Sequence, residues 1–396
     1  MGEQRFATIP SSDMGLLFIS AFLIYGFNNV TTSAMSEFIL SIGGSALVAG
    51  VQNCLFVFLA VLLRIALGPL ADRHGGKPLL IAGAAGFCIP SIFLPLCNSV
   101  ALVVALRLLQ AIGLAAYHPN VAHYITTCSD SDSCPRRIGI VRFLSTASLM
   151  IMPAALFPAI GTFGYGPFFG ILSFLAFIGL LLLIPLHNGH RSAHEKATDT
   201  IGTHIPRELL PLVSFPFALA FGYSIVLTFG PLFMKEVLPG INSGLLLTFA
   251  SIGGLLGSPM ASKLLMRYGA RCSITILGCL YFCGMALLGC APTNATLASE
   301  ACMSIGAVTL GIGYFGSTTA LTAELGLRRE GQTAGFLFSV QQSCLDLGMM
   351  AGSLAAGIIL QSGISLRIAF IFASALAVTC IIIWVVSYNT HAKQGV

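Results

Sequence analysis

Long apolar runs, each ended by a short polar break, recur along the chain near 14–36, 44–67, 78–97, 99–124, 138–160 and 165–186. They recur again near 209–233, 243–266, 271–291, 298–323, 333–359 and 365–388. Each is about twenty residues or longer, the length an α-helix needs to cross ~30 Å of hydrocarbon. Lipid offers backbone groups no partner, so a run of this kind has to be helical. The pattern predicts an all-α membrane protein with twelve transmembrane helices. The first run is too long for a signal-peptide core and lacks a small-residue cleavage site, so it reads as the first span. The one long hydrophilic stretch, HNGHRSAHEKATDTIGTHIPRE at 187–208, is expected to link an N-terminal bundle (1–186) to a C-terminal bundle (209–396).

The polar breaks repeat. RHGGK (Arg73 to Lys77) stands between runs two and three, and RYGAR (Arg267 to Arg271) between runs eight and nine. Arg136-Arg137 follows run four, and Arg328-Arg329 follows run ten. Matching punctuation at matching loops implies duplication, hence two pseudo-symmetric six-helix bundles, which usually enclose a site at their interface. With the N-terminus in the cytoplasm, all but three of the 19 Lys and Arg fall on the inner side; Lys235 and Arg367 are outside and Arg107 lies within a span. That asymmetry predicts an inner-membrane, multi-pass protein with both termini cytoplasmic.

Composition agrees: 56% of residues are hydrophobic and 8% charged, against roughly 25% charged in soluble domains. The net charge of +5 is spread over short loops and gives no footprint for nucleic acid. Most of the 12 cysteines lie in apolar runs (Cys54, Cys88, Cys279, Cys283, Cys344, Cys380) and are expected to be buried as small hydrophobes. Cys128 and Cys134 flank an acidic SDSD loop, placed in the cytoplasm where thiols stay reduced. His187, His190, His194 and His204 crowd the linker without cysteine partners or a scaffold, so no metal site is expected. No Gly-rich phosphate loop ending in Lys-Ser/Thr occurs. ATP is therefore not the expected energy source, and no cofactor and no enzymatic constellation are predicted.

Gly68-Pro-Leu-Ala-Asp-Arg-His-Gly-Gly-Lys77 resembles the signature loop of the major facilitator superfamily, Gly-x-Leu-Ala-Asp-Arg-x-Gly-Arg-Lys between spans two and three; Gly76 stands where the family often has Arg. Gly68 permits close helix approach, Gly75 a tight turn, and Asp72 can pair with a basic group or a helix N-terminus. The resemblance implies a conformational latch made of Gly68, Asp72, Arg73, Gly75 and Lys77. Arg107-Leu-Leu-Gln-Ala-Ile-Gly113 is similar to the family's Arg-x-x-Gln-Gly-x-Gly motif, with Ala111 replacing a glycine. The antiporter motif of span five is nearly absent, only Pro153 surviving, whereas span eleven carries Gly348, Gly352 and Gly357 at close-packing spacing. Its Ser343 to Gly348 segment is similar to one found in some bacterial efflux carriers.

A charge at the bilayer centre costs several kcal/mol, from about 2.5 to more than 10. Of 14 acidic residues, Asp346 alone falls near the middle of a span. Lost hydration favours the neutral acid there, the property that lets a carboxyl exchange protons. Two readings stand: a proton-coupling or cation-binding group, or an aspartate hydrogen-bonded to its neighbours to fix packing. Arg107 stays charged and is either a substrate anchor or a structural partner. Candidate neutral contacts are Tyr25, Asn28 and Asn29 in span one, Gln110 and His118 in span four, then Tyr223, Tyr314, Gln341 and Gln342; each could equally be helix packing.

The expectation is a monomeric secondary active transporter in the lipid bilayer, moving a small-molecule substrate by alternating access, with protons on Asp346 driving efflux. The alternatives are uptake or exchange of a small anionic metabolite anchored on Arg107, and export of a metallophore. A non-transporting receptor would need an extramembrane domain.

Overall fold

The computed structural model describes residues 11–74, 76–129, 133–187, 209–292, 297–327 and 334–392. They form α1 (Ser11–Ser41), α2 (Ala46–His74), α3 (Gly76–Ser91), a 3-10 turn (Leu94–Leu96), α4 (Val100–Thr127), α5 (Cys134–Phe163) and α6 (Tyr165–Leu181). Then come α7 (Leu210–Val237), α8 (Leu245–Gly289), α9 (Leu297–Leu327), α10 (Ala334–Gln361) and α11 (Leu366–Ala392). Ten of these are long and apolar enough to cross a membrane, and α6 is an apolar helix of 17 residues. The fold is an all-helical, multi-pass one.

Helix ends follow the polar punctuation. Gly164, at φ 79°, closes α5 and opens α6, a backbone angle that side chains with a Cβ rarely adopt. Gly269 plays the same part inside α8, where φ 73° and ψ 174° interrupt the helix between the runs expected as spans eight and nine. Two expected spans thus join end to end at one glycine, leaving no loop.

The chain divides into two compact units. Unit 1 holds Met1–Thr32 and Leu55–Ala197, and unit 2 holds Ser33–Cys54 and Thr198–Val396; α1 and α2 each change membership partway along. In unit 1, α3 meets α4 through glycine: a Cβ on Gly83 would lie 2.5 Å from the Tyr117 backbone nitrogen, and Gly86 abuts Gly113. In unit 2, α8 and α9 approach through Gly257, whose Cβ would lie 2.6 Å from the Ile312 carbonyl oxygen. Contacts this close supply the dispersion energy and packing that hold helices together in lipid, where no hydrophobic drive separates them from acyl chains.

Large apolar side chains such as Ile65, Phe163 and Leu297 point outward. The cysteine expectation needs correction: Cys88 is buried, but Cys279 and Cys283 are exposed and Cys54, Cys344 and Cys380 intermediate. An apolar solvent does not penalise outward-facing thiols, so an apolar run alone does not say which face is interior. Cys134 begins α5 and lies outside the loop, and Cys128 caps α4 in a buried position.

Candidate functional site

Arg107 is fully buried on α4. Its Nη1 donates to Gln110 Oε1 at 2.9 Å, one helical turn on, and its Nη2 donates to Thr32 Oγ1. Thr32 in turn donates to the Asn28 carbonyl oxygen at 2.7 Å, which turns its oxygen lone pairs toward the arginine. The Phe56 ring lies 3.8 Å from the guanidinium carbon, an attractive cation–π geometry. Every one of these partners is neutral. Among the described residues, Arg107 Nε and Gln110 Nε2 find no partner, nor does Asn28 Oδ1.

About three turns beyond Arg107 toward the end of α4, His118 packs edge-on to Tyr25 at 4.6 Å between centroids, with Phe87 and Tyr117 beside it. Ser20 donates to the Gly179 carbonyl oxygen, so the Tyr117 hydroxyl is the donor in the 3.0 Å bond to Ser20 Oγ. His118 Nε2 is buried without a partner, and Asn29 is half-buried. The structure therefore gathers Tyr25 and His118 into one aromatic cluster and Asn28, Arg107 and Gln110 into one polar cluster, both within unit 1.

In unit 2, Tyr223 and Tyr314 stack face to face, 3.9 Å between centroids and 7° from parallel, with Phe315 edge-on to both. Asp346 is buried in mid-α10; Gln342 Nε2 donates to its Oδ1 at 3.2 Å, and it acts electrostatically on Tyr314. Gln341 is different: its amide donates to the Leu212 carbonyl oxygen and accepts from Thr322, so it bridges helices.

Gly68, Asp72 and Arg73 lie on the last turns of α2 and Lys77 on the first turn of α3. The side chains of Asp72 and Arg73, and Gly75 itself, lie outside the described residues, as do most of the 187–208 linker, Arg328 and Arg329. Three features had no sequence forecast. Asp13 Oδ2 accepts from the backbone nitrogen and Nδ1 of His187, at 2.8 and 2.9 Å, tying the start of α1 to the chain after α6. Lys235 pairs with Glu37. Beside that pair is a recess of about 680 Å³ lined by Leu40, Ser45, Ala46, Leu232, Lys235, Glu236, Leu360 and Gln361, none of them a predicted site residue.

Helices long and apolar enough to cross a membrane, with an arginine, a carboxylate and several amides buried among them, define a multi-pass membrane protein. The family model described as Major Facilitator Superfamily matches residues 17–343, and the chain belongs to that family of membrane transporters of small molecules. It is 24% identical over 290 residues to the staphyloferrin A transporter of Staphylococcus aureus, covering 69% of this chain and 72% of that protein. Over 100 residues it is 33% identical to the multidrug transporter MdfA of Yersinia pestis, a quarter of this chain and 24% of that one. A variant of the nucleoside transporter NupG superposes with TM-score 0.78 at 13% identity, covering 95% of this chain and all of that one. A bacterial homologue of the lysosomal transporter Spinster gives 0.75 at 16%, covering 99% of both. These two likenesses concern the fold alone.

Proposed function

We propose that this chain is a secondary active transporter that exports a small organic solute in exchange for protons by alternating access. The observation that carries the reading is Asp346: a carboxyl group in the middle of α10, 7% exposed, held by the Gln342 amide. Maintaining an acid there is expensive, and a group that is protonated on one side of the membrane and ionised on the other is a use that repays it. The staphyloferrin A and multidrug transporters among its relatives support a small organic cargo, and the Ser343 to Gly348 segment supports export.

On this reading the chain has twelve spans in two six-helix bundles, 1–186 and 209–396, because α8 breaks at Gly269 and α6 is the short sixth span. It sits as a monomer in the inner membrane with both termini cytoplasmic. Asp346 carries the proton. Tyr25, Asn28, Asn29, Arg107, Gln110 and His118, with Tyr223, Tyr314 and Gln342, contact solute during the cycle. Gly68, Asp72, Arg73, Gly75 and Lys77 form the latch.

Vesicles containing the purified protein, placed under an imposed pH gradient and screened for solute movement in each direction, test the proposal. Movement coupled to the gradient, outward in the cell's sense, is expected; movement indifferent to the gradient contradicts it.

A further inference from the structure

The helix ends next to the Glu37–Lys235 pair enclose the recess of about 680 Å³. We infer that this recess binds a small organic ammonium ion, at a site of its own and beyond the transport reading. The ends of α1, α7 and α10 reach it through Leu40, Glu236 and Gln361, and α2 begins there at Ala46. Its lining residues all belong to unit 2. Asp346 lies about four turns, roughly 22 Å, before Gln361 on α10, so the recess is separate from the proposed proton carrier.

The first support is charge. Lys235 is held by Glu37 at 2.7 Å, and the two charges cancel. Glu236, the next residue of α7, is exposed and makes no ion pair among the described residues. Arg367, the other basic residue expected on this side, is not part of the wall. One negative charge is therefore left over. The helix ends add to it, because the last carbonyls of a helix lack partners within it and its C-terminus carries a partial negative charge. Three C-termini meet here, those of α1, α7 and α10. The single N-terminus, that of α2, already has an acceptor: Val48 N donates to Ser45 Oγ at 3.3 Å.

The second support is shape. A volume of several hundred Å³, apolar over most of its wall with a few polar groups, is that of a cleft for a small molecule. Leu40, Ala46, Leu232 and Leu360 supply the apolar wall and take an alkyl group. Glu236 and the Gln361 amide oxygen accept from the ammonium N–H groups. A bare calcium-like ion fits poorly, since it wants about six to eight oxygens and the side chains of Glu236, Gln361 and Ser45 offer fewer. An anion meets Glu236 and three helix C-termini, all repulsive. A bound ammonium touches four helix ends at once, so it should stabilise the folded protein.

The test labels a protein whose only exchangeable thiol is Ser45→Cys with a neutral methanethiosulfonate. Butylammonium, 1-butanol, butyrate or sodium is present at equal concentration. Butylammonium is expected to slow labelling several-fold and to raise Tm of the unaltered protein, and the other three to do neither. Glu236→Gln, at an exposed helix end, should fold, elute as wild type and lose both effects, with Glu236→Asp keeping them in part. Asp346→Asn should keep them in full. Equal effects from butanol, butyrate or sodium, an unchanged response in Glu236→Gln, loss of the response in Asp346→Asn, or no response to butylammonium each overturn the inference. Vesicle transport is a separate readout. Solute moving with the pH gradient, alongside a failed ammonium response, removes this site and leaves transport standing. Ammonium binding without any solute movement does the reverse.

Discussion

Lys235 Nζ stands 2.7 Å from Glu37 Oε2, with the carboxylate side chain 3% exposed and the lysine 48%. The two groups are 198 residues apart in the chain, yet both belong to unit 2. Lys235 occupies the last turn of α7, where the helix dipole also favours a cation. The pair fastens the end of α1 to the end of α7.

The asymmetry of exposure sets the consequences. Lys235→Met strands a buried carboxylate and should cost about 1–3 kcal/mol, below the ~3–5 of a fully buried pair because water screens the lysine. Glu37→Gln removes the charge together with the bond and should cost less. The double variant should be more stable than Lys235→Met alone. Detergent-phase thermal unfolding of the three variants checks this order, and equal losses for the two single changes would contradict it.

Beside that pair the backbones of α2 and α10 touch. A Cβ on Gly50 would lie 2.5 Å from the Ser353 carbonyl oxygen and 3.1 Å from Gly357 Cα, and a Cβ on Gly357 would lie 2.8 Å from the Ala46 carbonyl oxygen. Backbone atoms cannot yield as side chains do, so Gly50→Val should pry this contact open. In the proposed orientation that end faces outward, and an Ala46→Cys thiol should then be labelled several-fold faster by a membrane-impermeant maleimide. Gly15→Ala, with nothing within 4 Å of the added carbon, is the control. Unchanged labelling in the Gly50 variant would refute the contact.

Thr32 is the hydroxyl acceptor for Arg107. Thr32→Val keeps the shape and deletes the acceptor, leaving a charged donor buried with one partner fewer. A loss of about 1–3 kcal/mol is expected, with Thr32→Ser near wild type, both read from unfolding midpoints. Valine as stable as threonine would show that the arginine does not depend on that bond.

Burial pushes the Cys128 thiol up from its ordinary range. A thiol reacts as thiolate, so a raised value means a small reactive fraction at neutral pH and a rate that keeps climbing at alkaline pH. In a variant whose other cysteines are replaced, maleimide labelling of Cys128 should be slow at pH 7. Labelling as fast as a free thiol would contradict the buried position.

Much of the helical pattern is written in hydropathy alone, because a span has no alternative to helix in lipid. The break inside α8 was legible at RYGAR, but its sharpness was not: whether one glycine joins two helices directly or opens a longer turn is decided by neighbouring packing. Within the candidate site, Arg107 and Gln110 could be paired from their i, i+3 spacing. Thr32 could have been suspected from its place one turn beyond Asn28. Phe56 could not, since 28 phenylalanines look alike until one is set over a guanidinium. The Glu37–Lys235 pair had a faint signal, Lys235 being one of two basic residues assigned to the outer side, but a partner 198 residues away is a tertiary fact.

Proton-coupled export depends on Asp346 handling protons, and proton flux itself is the most direct readout. Vesicles loaded with a pH-sensitive dye and given an inward-directed proton gradient should show solute-dependent proton movement with the wild type. Asp346→Glu should retain it in part, and Asp346→Asn should abolish it while the variant still folds. Solute-driven proton movement at the wild-type rate in Asp346→Asn would contradict a proton-carrying role for Asp346.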